Sequence, residues 1–170
     1  RSERMKQHSI VVLSDFGEGG GAAALTGIVK RVEPRLQVYT LTNEAPRFDV
    51  AAASELLSDQ LSAWPEGTVF VCAVDPGAGS GERVVAVYTA DEYYIIAPDN
   101  GCLDDTIREH GIAGVRDLRE MNEMYCALES GGPSHGRNLA YCAAQLACGA
   151  RSFTAMGEAF PADGLTRLSE

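Results

Sequence analysis

The feature that most constrains the fold is a short apolar run at residues 69–74, which stops abruptly at Asp75. A run this short and this rich in Val is typical of a β-strand that is buried on both faces. A glycine-rich turn follows Asp75 and leads to the cation Arg83. An acid, a flexible turn and a cation after a buried strand are typical of the carboxyl edge of an open α/β sheet, where ligands bind. A plain β-turn at Pro76 and Gly77 is the alternative explanation.

A second buried strand is predicted at residues 9–14, and it also ends at an acid, Asp15. Glycines at 19–21 then lead into a helical pattern that stops at Pro34. A glycine loop before a helix is typical of phosphate binding, but neither a dinucleotide-binding fingerprint nor a P-loop lysine is in frame. We therefore expect Asp15 to bind the hydroxyls of a sugar, because a carboxylate accepts two hydroxyl protons and repels anions.

The rest of the chain alternates between strand and helix patterns. A helical apolar stripe before Pro65 includes Trp64, which we predict to be a core residue. Two strands at 83–89 and 93–97 are joined by so short a connection that we predict an antiparallel hairpin. The other predicted elements are strands at 36–42 and 113–118, a helix at 103–110, an irregular stretch at 121–133 and a helix at 137–149. We predict one α/β domain at 8–158, followed by a linker or tail at 159–170.

Charge and cysteine usage exclude several classes of partner. With 14 basic and 24 acidic residues the formal charge is −10, which disfavours binding to nucleic acid or to anionic membrane surfaces. No apolar run approaches the roughly 20 residues that a membrane span needs. The five cysteines form no Cys-x-x-Cys pair, so we expect no metal site and no disulfide framework, and we expect a cytoplasmic protein.

Six short motifs occur in order along the chain. They are SDFG at 14–17, FDV at 48–50, PEGTVF at 65–70, VDPGAGS at 74–80 with the downstream Arg83, APDNG at 97–101 and SHGRN at 134–138. Together they resemble the S-adenosylmethionine (SAM) hydroxide adenosyltransferase family, which is related to the SAM-dependent fluorinase and chlorinase. The resemblance implies a Rossmann-like three-layer α/β sandwich with a mostly parallel central sheet and one antiparallel hairpin. It also implies hydrolysis of SAM to adenosine and methionine, with SAM as the substrate and no cofactor.

The resemblance assigns roles to individual residues. It implies a catalytic set of Asp75, Arg83 and His135, and it matches Asp15 to the acid that holds the ribose hydroxyls. Phe48 matches an aromatic residue that lines the SAM pocket in the halogenases. The other positions that we expect at the substrate are Phe16, Asp49, Ala78, Asn100 and Gly136. Positions 78 and 136 match halide-contacting positions of a halogenase, and an acid at position 75 replaces a fluorinase tyrosine, so the sequence resembles the hydroxide branch.

These residue types suit an attack by water on a sulfonium substrate. The sulfonium is already a good leaving group, so no general acid is required. Asp75 and His135 would position or deprotonate one water behind C5′ of the ribose, while Arg83 would hold the carboxylate in place. Excluding bulk water would also help, because the sulfonium charge vanishes in the transition state.

Departures from the family pattern leave alternatives open. Glycines at 19–21 replace a region where the family usually has a second acid, and Thr26 stands where a lysine is expected. An inserted Gly81 lengthens the spacing from Asp75 to Arg83 by one residue. The alternative to catalysis is a non-catalytic nucleoside-binding or assembly module. A halogenase is disfavoured, because the carboxylate of Asp75 would repel halide.

The resemblance also implies a homo-oligomer. Family members hold adenine and methionine between the N-terminal domain of one subunit and the β-rich C-terminal domain of its neighbour, in a trimer. We therefore expect residues 159–170 to lead toward such a second domain. The expected partners are SAM or adenosine and further copies of the same protein.

Overall fold

The computed structural model describes residues 8–17, 19–46, 49–74, 83–129 and 136–168. Within these residues one sheet has seven strands in the order β2-β1-β3-β5-β4-β6-β7. The strands are β1 (Ile10–Ser14), β2 (Val38–Thr42), β3 (Val69–Ala73), β4 (Val84–Thr89), β5 (Tyr94–Pro98), β6 (Ile112–Asp117) and β7 (Glu158–Ala159). The helices are α1 (Gly20–Val32), α2 (Val50–Leu61), α3 (Asp104–His110), α4 (Arg119–Leu128) and α5 (Arg137–Ala147).

The fold is a mixed α/β fold, and the centre of its sheet is parallel, as predicted. β1 pairs in parallel with β2 and with β3, and β3 pairs in parallel with β5. β4 and β5 form the predicted antiparallel hairpin. The prediction of one antiparallel pair was incomplete, because β4 also pairs antiparallel with β6, and β6 with β7.

Each face of the sheet packs against its own hydrophobic core. Val71 and Ala73 of β3 belong to the core shared with α1, α4 and α5, whereas Phe70 and Cys72 belong to the core shared with α2 and α3. Burial on both faces explains why the β3 sequence is continuously apolar instead of alternating. Trp64 packs against the second core, with its ring edge-on to Phe70 at 6.4 Å, which confirms its predicted core position.

The stretch that we predicted to be irregular contains helix α4, so that prediction was wrong. Met121 and Tyr125 lie one turn apart on α4 and are buried in the core beneath α1 and α5. Nδ2 of Asn138 on α5 donates a hydrogen bond of 2.7 Å to Oδ1 of Asn122 on α4. The signal was present in the sequence, because apolar residues at 121, 124, 125 and 128 have helical spacing.

The segment after β6 and α5 returns to the sheet and packs on it. β7 pairs with β6, and the following residues, Phe160 and Leu165, join the core of α2 and α3. Leu165 is only 4% exposed. The backbone N–H of Thr166 donates a hydrogen bond of 2.7 Å to Oδ1 of Asp99. The described part of the predicted linker therefore covers one end of the sheet, and we call residues 158–168 the tail.

Candidate functional site

The ends of several strands meet at one edge of the sheet. Ser14, the last residue of β1, pairs with Ala73, the last residue of β3. Pro98, the last residue of β5, pairs with Val84, the first residue of the antiparallel strand β4. The segments after β1, β3 and β5 and the segment before β4 therefore lie at the same edge. This is the edge at which open α/β sheets bind ligands.

The described structure contains six of the ten predicted site residues. They are Asp15, Phe16, Asp49, Arg83, Asn100 and Gly136. The other four, Phe48, Asp75, Ala78 and His135, lie outside the described residues.

Gly136 makes the closest contact between the motifs. It precedes α5 with a φ of 82°, a left-handed conformation that favours glycine. A β-carbon at Gly136 would lie 3.2 Å from Cζ of Phe16, 3.5 Å from Cβ of Ala73 and 3.7 Å from Cδ2 of Leu25. We call these four residues the glycine corner. The missing side chain lets the start of α5 approach the ends of β1 and β3.

The glycine corner adjoins two of the predicted catalytic residues in sequence. His135 immediately precedes Gly136, and Asp75 follows Ala73 by two residues. The corner thus brings Gly136 of the SHGRN motif next to Ala73, the residue before the VDPGAGS motif, although the two are far apart along the chain. The predicted convergence of Asp75 and His135 on one water stays a prediction.

The loop that carries Asp15 is tied to the loop after β2. The N–H of Gly17 donates a hydrogen bond of 2.8 Å to the carbonyl of Asn43, and the N–H of Ala45 donates one of 3.3 Å to the carbonyl of Ser14. The hydroxyl of Ser14 donates to Oδ1 of Asn43 at 3.1 Å. Asp15 itself is 7% exposed. Sequence analysis missed Asn43, although a polar amide directly after a strand was the available signal.

Asn100 joins the ends of β3 and β5. Its Nδ2 donates a hydrogen bond of 3.2 Å to the carbonyl of Val74, and its Oδ1 accepts one of 3.1 Å from the N–H of Cys102. Val74 is the residue before Asp75, so the amide of Asn100 fixes the exit of the strand that leads to the predicted catalytic acid. Asp49 lies at the start of α2. It caps this helix by accepting a hydrogen bond of 3.0 Å from the N–H of Ala52.

Arg83 lies in a charged group that we call the arginine cluster, made of Arg83, Asp99, Asp117 and Phe160. Its Nη1 is 3.6 Å from Oδ2 of Asp99, and its Nε is 3.6 Å from Oδ2 of Asp117. Its guanidinium carbon lies 4.5 Å from the centre of the Phe160 ring, within the range of a cation–π interaction. The side chain of Arg83 is 44% exposed, whereas that of Asp99 is 3% exposed. The guanidinium is therefore held at the edge with part of its surface open to solvent.

The two groups lie on opposite sides of the sheet. Phe160 packs against the core of α2 and α3, whereas Ala73 and Leu25 belong to the core of α1, α4 and α5. Arg83 and Gly136 therefore approach the same edge from different faces. Sequence analysis did not assign Asp99, Asp117 or Phe160 to the site. Asp99 lies in the APDNG motif beside Asn100, whereas Asp117 and Phe160 come from segments that carry none of the six motifs.

Two buried thiols lie beneath the edge. Cys72 and Cys102 are both fully buried, and the Sγ of Cys102 donates a hydrogen bond of 3.5 Å to the carbonyl of Pro98. The hydrogen bond with Cys72, followed by burial, raises the pKa of Cys102 well above its usual value. A thiol with a raised pKa stays neutral, so Cys102 is suited to packing and not to nucleophilic attack.

Neither a metal cluster nor a membrane span is found in the part of the chain that the structure describes. No three His, Cys, Asp or Glu side chains of the described residues are grouped so that they could hold a metal ion. None of the described helices is both long enough and apolar enough to cross a bilayer.

Comparison with known proteins gives one family. The SAM hydroxide adenosyltransferase N-terminal domain matches residues 10–157. A protein of Salinispora tropica named (R)-S-adenosyl-L-methionine hydrolase is 33% identical over 140 residues, which cover 81% of this chain and 52% of that protein. The hydrolase of the same name from Salinispora arenicola is 34% identical over 158 residues, covering 91% of this chain and 59% of that protein. A fluorinase from Nocardia brasiliensis is 27% identical over 125 residues, which cover 60% of this chain and 42% of that protein.

Solved structures share the fold. An uncharacterized conserved protein from Thermotoga maritima superposes with a TM-score of 0.83 at 30% identity, covering 94% of this chain and 60% of that chain. A conserved hypothetical protein from Thermus thermophilus gives a TM-score of 0.76 at 27% identity, covering 95% of this chain and 62% of that chain. The chain therefore spans little more than half of the length of the two Salinispora hydrolases and about three fifths of these two solved chains.

Proposed function

Because the chain belongs to the SAM hydroxide adenosyltransferase family, we propose that it hydrolyses SAM to adenosine and methionine. The hydrolases named above support SAM as the substrate. The observation that carries the proposal is the glycine corner. There Phe16 and Gly136, from two family motifs, meet beside Ala73, which adjoins a third.

Water is the nucleophile in the proposed reaction. Asp75 and His135 align one water behind C5′ of the ribose and accept its proton. The bond from the water oxygen to C5′ forms as the bond from C5′ to sulfur breaks, and that electron pair leaves with methionine. The leaving sulfur becomes neutral, so no proton donor is needed on its side.

Arg83 is the cation that holds Asp75 in this mechanism. A guanidinium carries five N–H donors and stays charged at any working pH. Its two ion pairs, with Asp99 and with Asp117, are both 3.6 Å long, and its 44% exposure leaves donors for a third carboxylate. Such a cation would fix the direction in which the carboxylate of Asp75 faces the water.

Asp15 binds the ribose in the proposal. It follows β1 at the carboxyl edge, and hydrogen bonds to the β2 loop hold the backbone on both sides of it. A carboxylate there accepts protons from both ribose hydroxyls. The remaining residues that we propose at the substrate are Phe16, Phe48, Asp49, Ala78, Asn100 and Gly136.

The wider properties of the protein are also proposals. We infer a Rossmann-like domain that needs no cofactor and acts within a homotrimer, in which a C-terminal domain from a neighbouring copy completes the adenine and methionine pocket. Five free thiols favour a cytoplasmic location, where cysteines are kept reduced.

A second candidate function is a nucleoside-binding module without turnover. It is favoured by the glycines at 19–21, which replace the second acid that the family usually carries in this loop. Such a module would bind adenosine through Asp15 but would not release methionine from SAM. A fluorinase-like activity fits less well, because a carboxylate at position 75 disfavours halide.

The test is adenosine formation from SAM, followed by chromatography, with the full chain and three variants. Asp75→Asn and His135→Asn should each lower the rate about 10²–10⁴-fold, since each removes a group that handles the water proton. Asp59→Asn is the matched control, because Asp59 is an exposed acid on α2, and it should turn over like the unaltered protein.

Calorimetry with adenosine separates the two candidate functions. Turnover that Asp75→Asn lowers about 10²–10⁴-fold supports hydrolysis. Adenosine binding with no turnover in the unaltered protein would favour the binding module. Turnover that is the same in Asp75→Asn and Asp59→Asn would contradict the assigned catalytic set.

A further inference from the structure

Each oxygen of the buried Asp99 carboxylate interacts with a different residue. Its Oδ2 lies 3.6 Å from Nη1 of Arg83, and its Oδ1 accepts a hydrogen bond of 2.7 Å from the N–H of Thr166 in the tail. Its own N–H donates a hydrogen bond of 2.8 Å to the carbonyl of Arg83. With a side chain that is 3% exposed, Asp99 requires such partners, because an unpaired buried charge is strongly unfavourable.

Phe160 restrains the same guanidinium from another side. Its ring lies 4.5 Å from the guanidinium carbon of Arg83, and its backbone N–H donates a hydrogen bond of 3.0 Å to the carbonyl of Val115 on β6. The ring is thereby attached to the sheet through the backbone as well as through packing. Stacking on an aromatic face fixes the plane of a guanidinium, which an ion pair alone does not.

The tail that supplies Phe160 and Thr166 is anchored at both ends. At one end β7 pairs with β6, with Glu158 opposite Asp117. At the other end Nε of Arg167 donates a hydrogen bond of 2.5 Å to Oδ1 of Asp104. That bond is the main reason why the pKa of Asp104 lies below its usual value. Between these anchors Leu165 is buried in the core of α2 and α3.

From these contacts we propose that Asp99 and Phe160 are positioning residues, through which the tail sets the direction of the Arg83 guanidinium. The proposal rests on the proposed function, in which Arg83 orients Asp75. Each positioning residue acts through Arg83, so its removal should lower kcat more than it raises KM.

The kinetic test compares Asp99→Asn with the control Asp163→Asn. The asparagine keeps an oxygen for the N–H of Thr166 but loses the charge that pairs with Arg83. We expect kcat to fall about 10–100-fold, with KM changed less than about threefold. A misplacement of a catalytic group by about 1 Å can lower the rate by about 100-fold. Asp163 is exposed in the same tail, and its variant should match the unaltered protein.

A double variant separates positioning from general destabilisation. Arg83→Lys removes the fork that Asp99 and Phe160 orient. In that background Asp99→Asn should cause little further loss, because residues that act through one group are not additive. Two losses that simply multiply would overturn the proposal.

A spectroscopic test does not depend on turnover. The side-chain N–H signal at Nε of Arg83, assigned by its disappearance in Arg83→Lys, should report a rigid group in the unaltered protein and a mobile one in Asp99→Asn. If Asp99→Asn does not fold, Phe160→Leu should loosen the same signal. An Arg83 signal that both variants leave unchanged would overturn the proposal. Absence of adenosine formation by the unaltered protein would count only against the proposed function.

Discussion

The glycine corner and the arginine cluster lie at the same edge of the sheet, yet they are built in opposite ways. The glycine corner is an uncharged contact in which Phe16, Leu25 and Ala73 surround a residue without a side chain. The arginine cluster is a charged contact in which Arg83 stays 44% exposed. The glycine corner depends on shape and the arginine cluster on charge. A change in side-chain size should therefore affect the glycine corner, and a change in salt concentration should affect the arginine cluster.

This edge of the sheet combines closely packed side chains with a site that is partly open to solvent. Close packing fixes the spacing between β1, β3 and the start of α5, because buried side chains cannot move without strain. Ion pairs at a partly exposed position contribute little to stability, but they orient the guanidinium of Arg83. We therefore expect the glycine corner to matter more for folding, and the arginine cluster to matter more for turnover.

The largest effect on stability should come from Gly157, which lies before the tail. A β-carbon there would overlap the backbone carbonyl oxygen of Asp117, and backbone cannot yield as a side chain can. Gly157→Ala should therefore separate β7 from β6 and destabilise the protein by about 3 kcal/mol. Urea unfolding measures this loss, and a cost below that of Gly136→Ala would contradict the ranking.

The glycine corner itself is tested by Gly136→Ala. The positive φ and the 3.2 Å approach to Phe16 should together cost about 2 kcal/mol. Gly27→Ala is the matched control, because Gly27 is exposed within α1 and a β-carbon there meets nothing within 4 Å. That control should stabilise the protein by about 0.5–1 kcal/mol. Equal unfolding free energies for the two variants would show that shape does not govern the corner.

A third contact, at His110, gives the pH dependence that an arginine cannot give. Its Nδ1 lies 2.7 Å from a carboxylate oxygen of Asp91 and its Nε2 lies 2.9 Å from the carbonyl of Ser58, so only the doubly protonated ring satisfies both acceptors. Burial alone would lower the pKa of His110, but the hydrogen bonds to Asp91 and Ser58 outweigh it and raise the pKa.

The sign follows from that raised pKa. The stabilisation is fully present below about pH 6.5, the usual histidine pKa, and is lost as the pH rises through the higher value of the folded state. With Asp91 44% exposed, we expect at most about 1 kcal/mol. Unfolding free energies of the unaltered protein and His110→Gln, measured from about pH 5 to 9, should converge at high pH. Parallel curves would rule out the doubly protonated ring.

The smallest effect should be that of Asp117→Asn in the arginine cluster. The ion pair with Arg83 is 3.6 Å long and partly exposed, so its loss should cost about 0.5 kcal/mol at low salt and nothing measurable in high salt. Glu123→Gln, at an exposed acid on α4, is the control for net charge. A cost that persists in high salt would mean that shape, and not charge, governs this cluster as well.

The sequence predicted the parts of the fold that short-range patterns encode. Continuous apolar runs identified β1 and β3, and a short connection identified the β4–β5 hairpin. Helix α4 was missed although its apolar residues have helical spacing, and the one irregular feature of its buried face is the polar Asn122. The position of Asp15 at the carboxyl edge followed from the strand that precedes it.

The arrangement of the candidate site could not be predicted in the same way. The arginine cluster joins residues 83, 99, 117 and 160, and no local pattern connects such distant segments. The motif that contains Gly136 was recognised, but the reason for the glycine was not. That reason is the approach of Phe16 and Ala73, which only the packing of α5 against β1 and β3 reveals.

The origin of the 5′ oxygen in adenosine shows whether water attacks the ribose carbon. SAM is incubated with the protein in H₂¹⁸O, and the adenosine is analysed by mass spectrometry. If water attacks C5′, the adenosine carries ¹⁸O and methionine is released in equal amount, and Asp75→Asn forms both products about 10²–10⁴-fold more slowly. Unlabelled adenosine, or no adenosine at all, would contradict hydrolysis at this edge of the sheet.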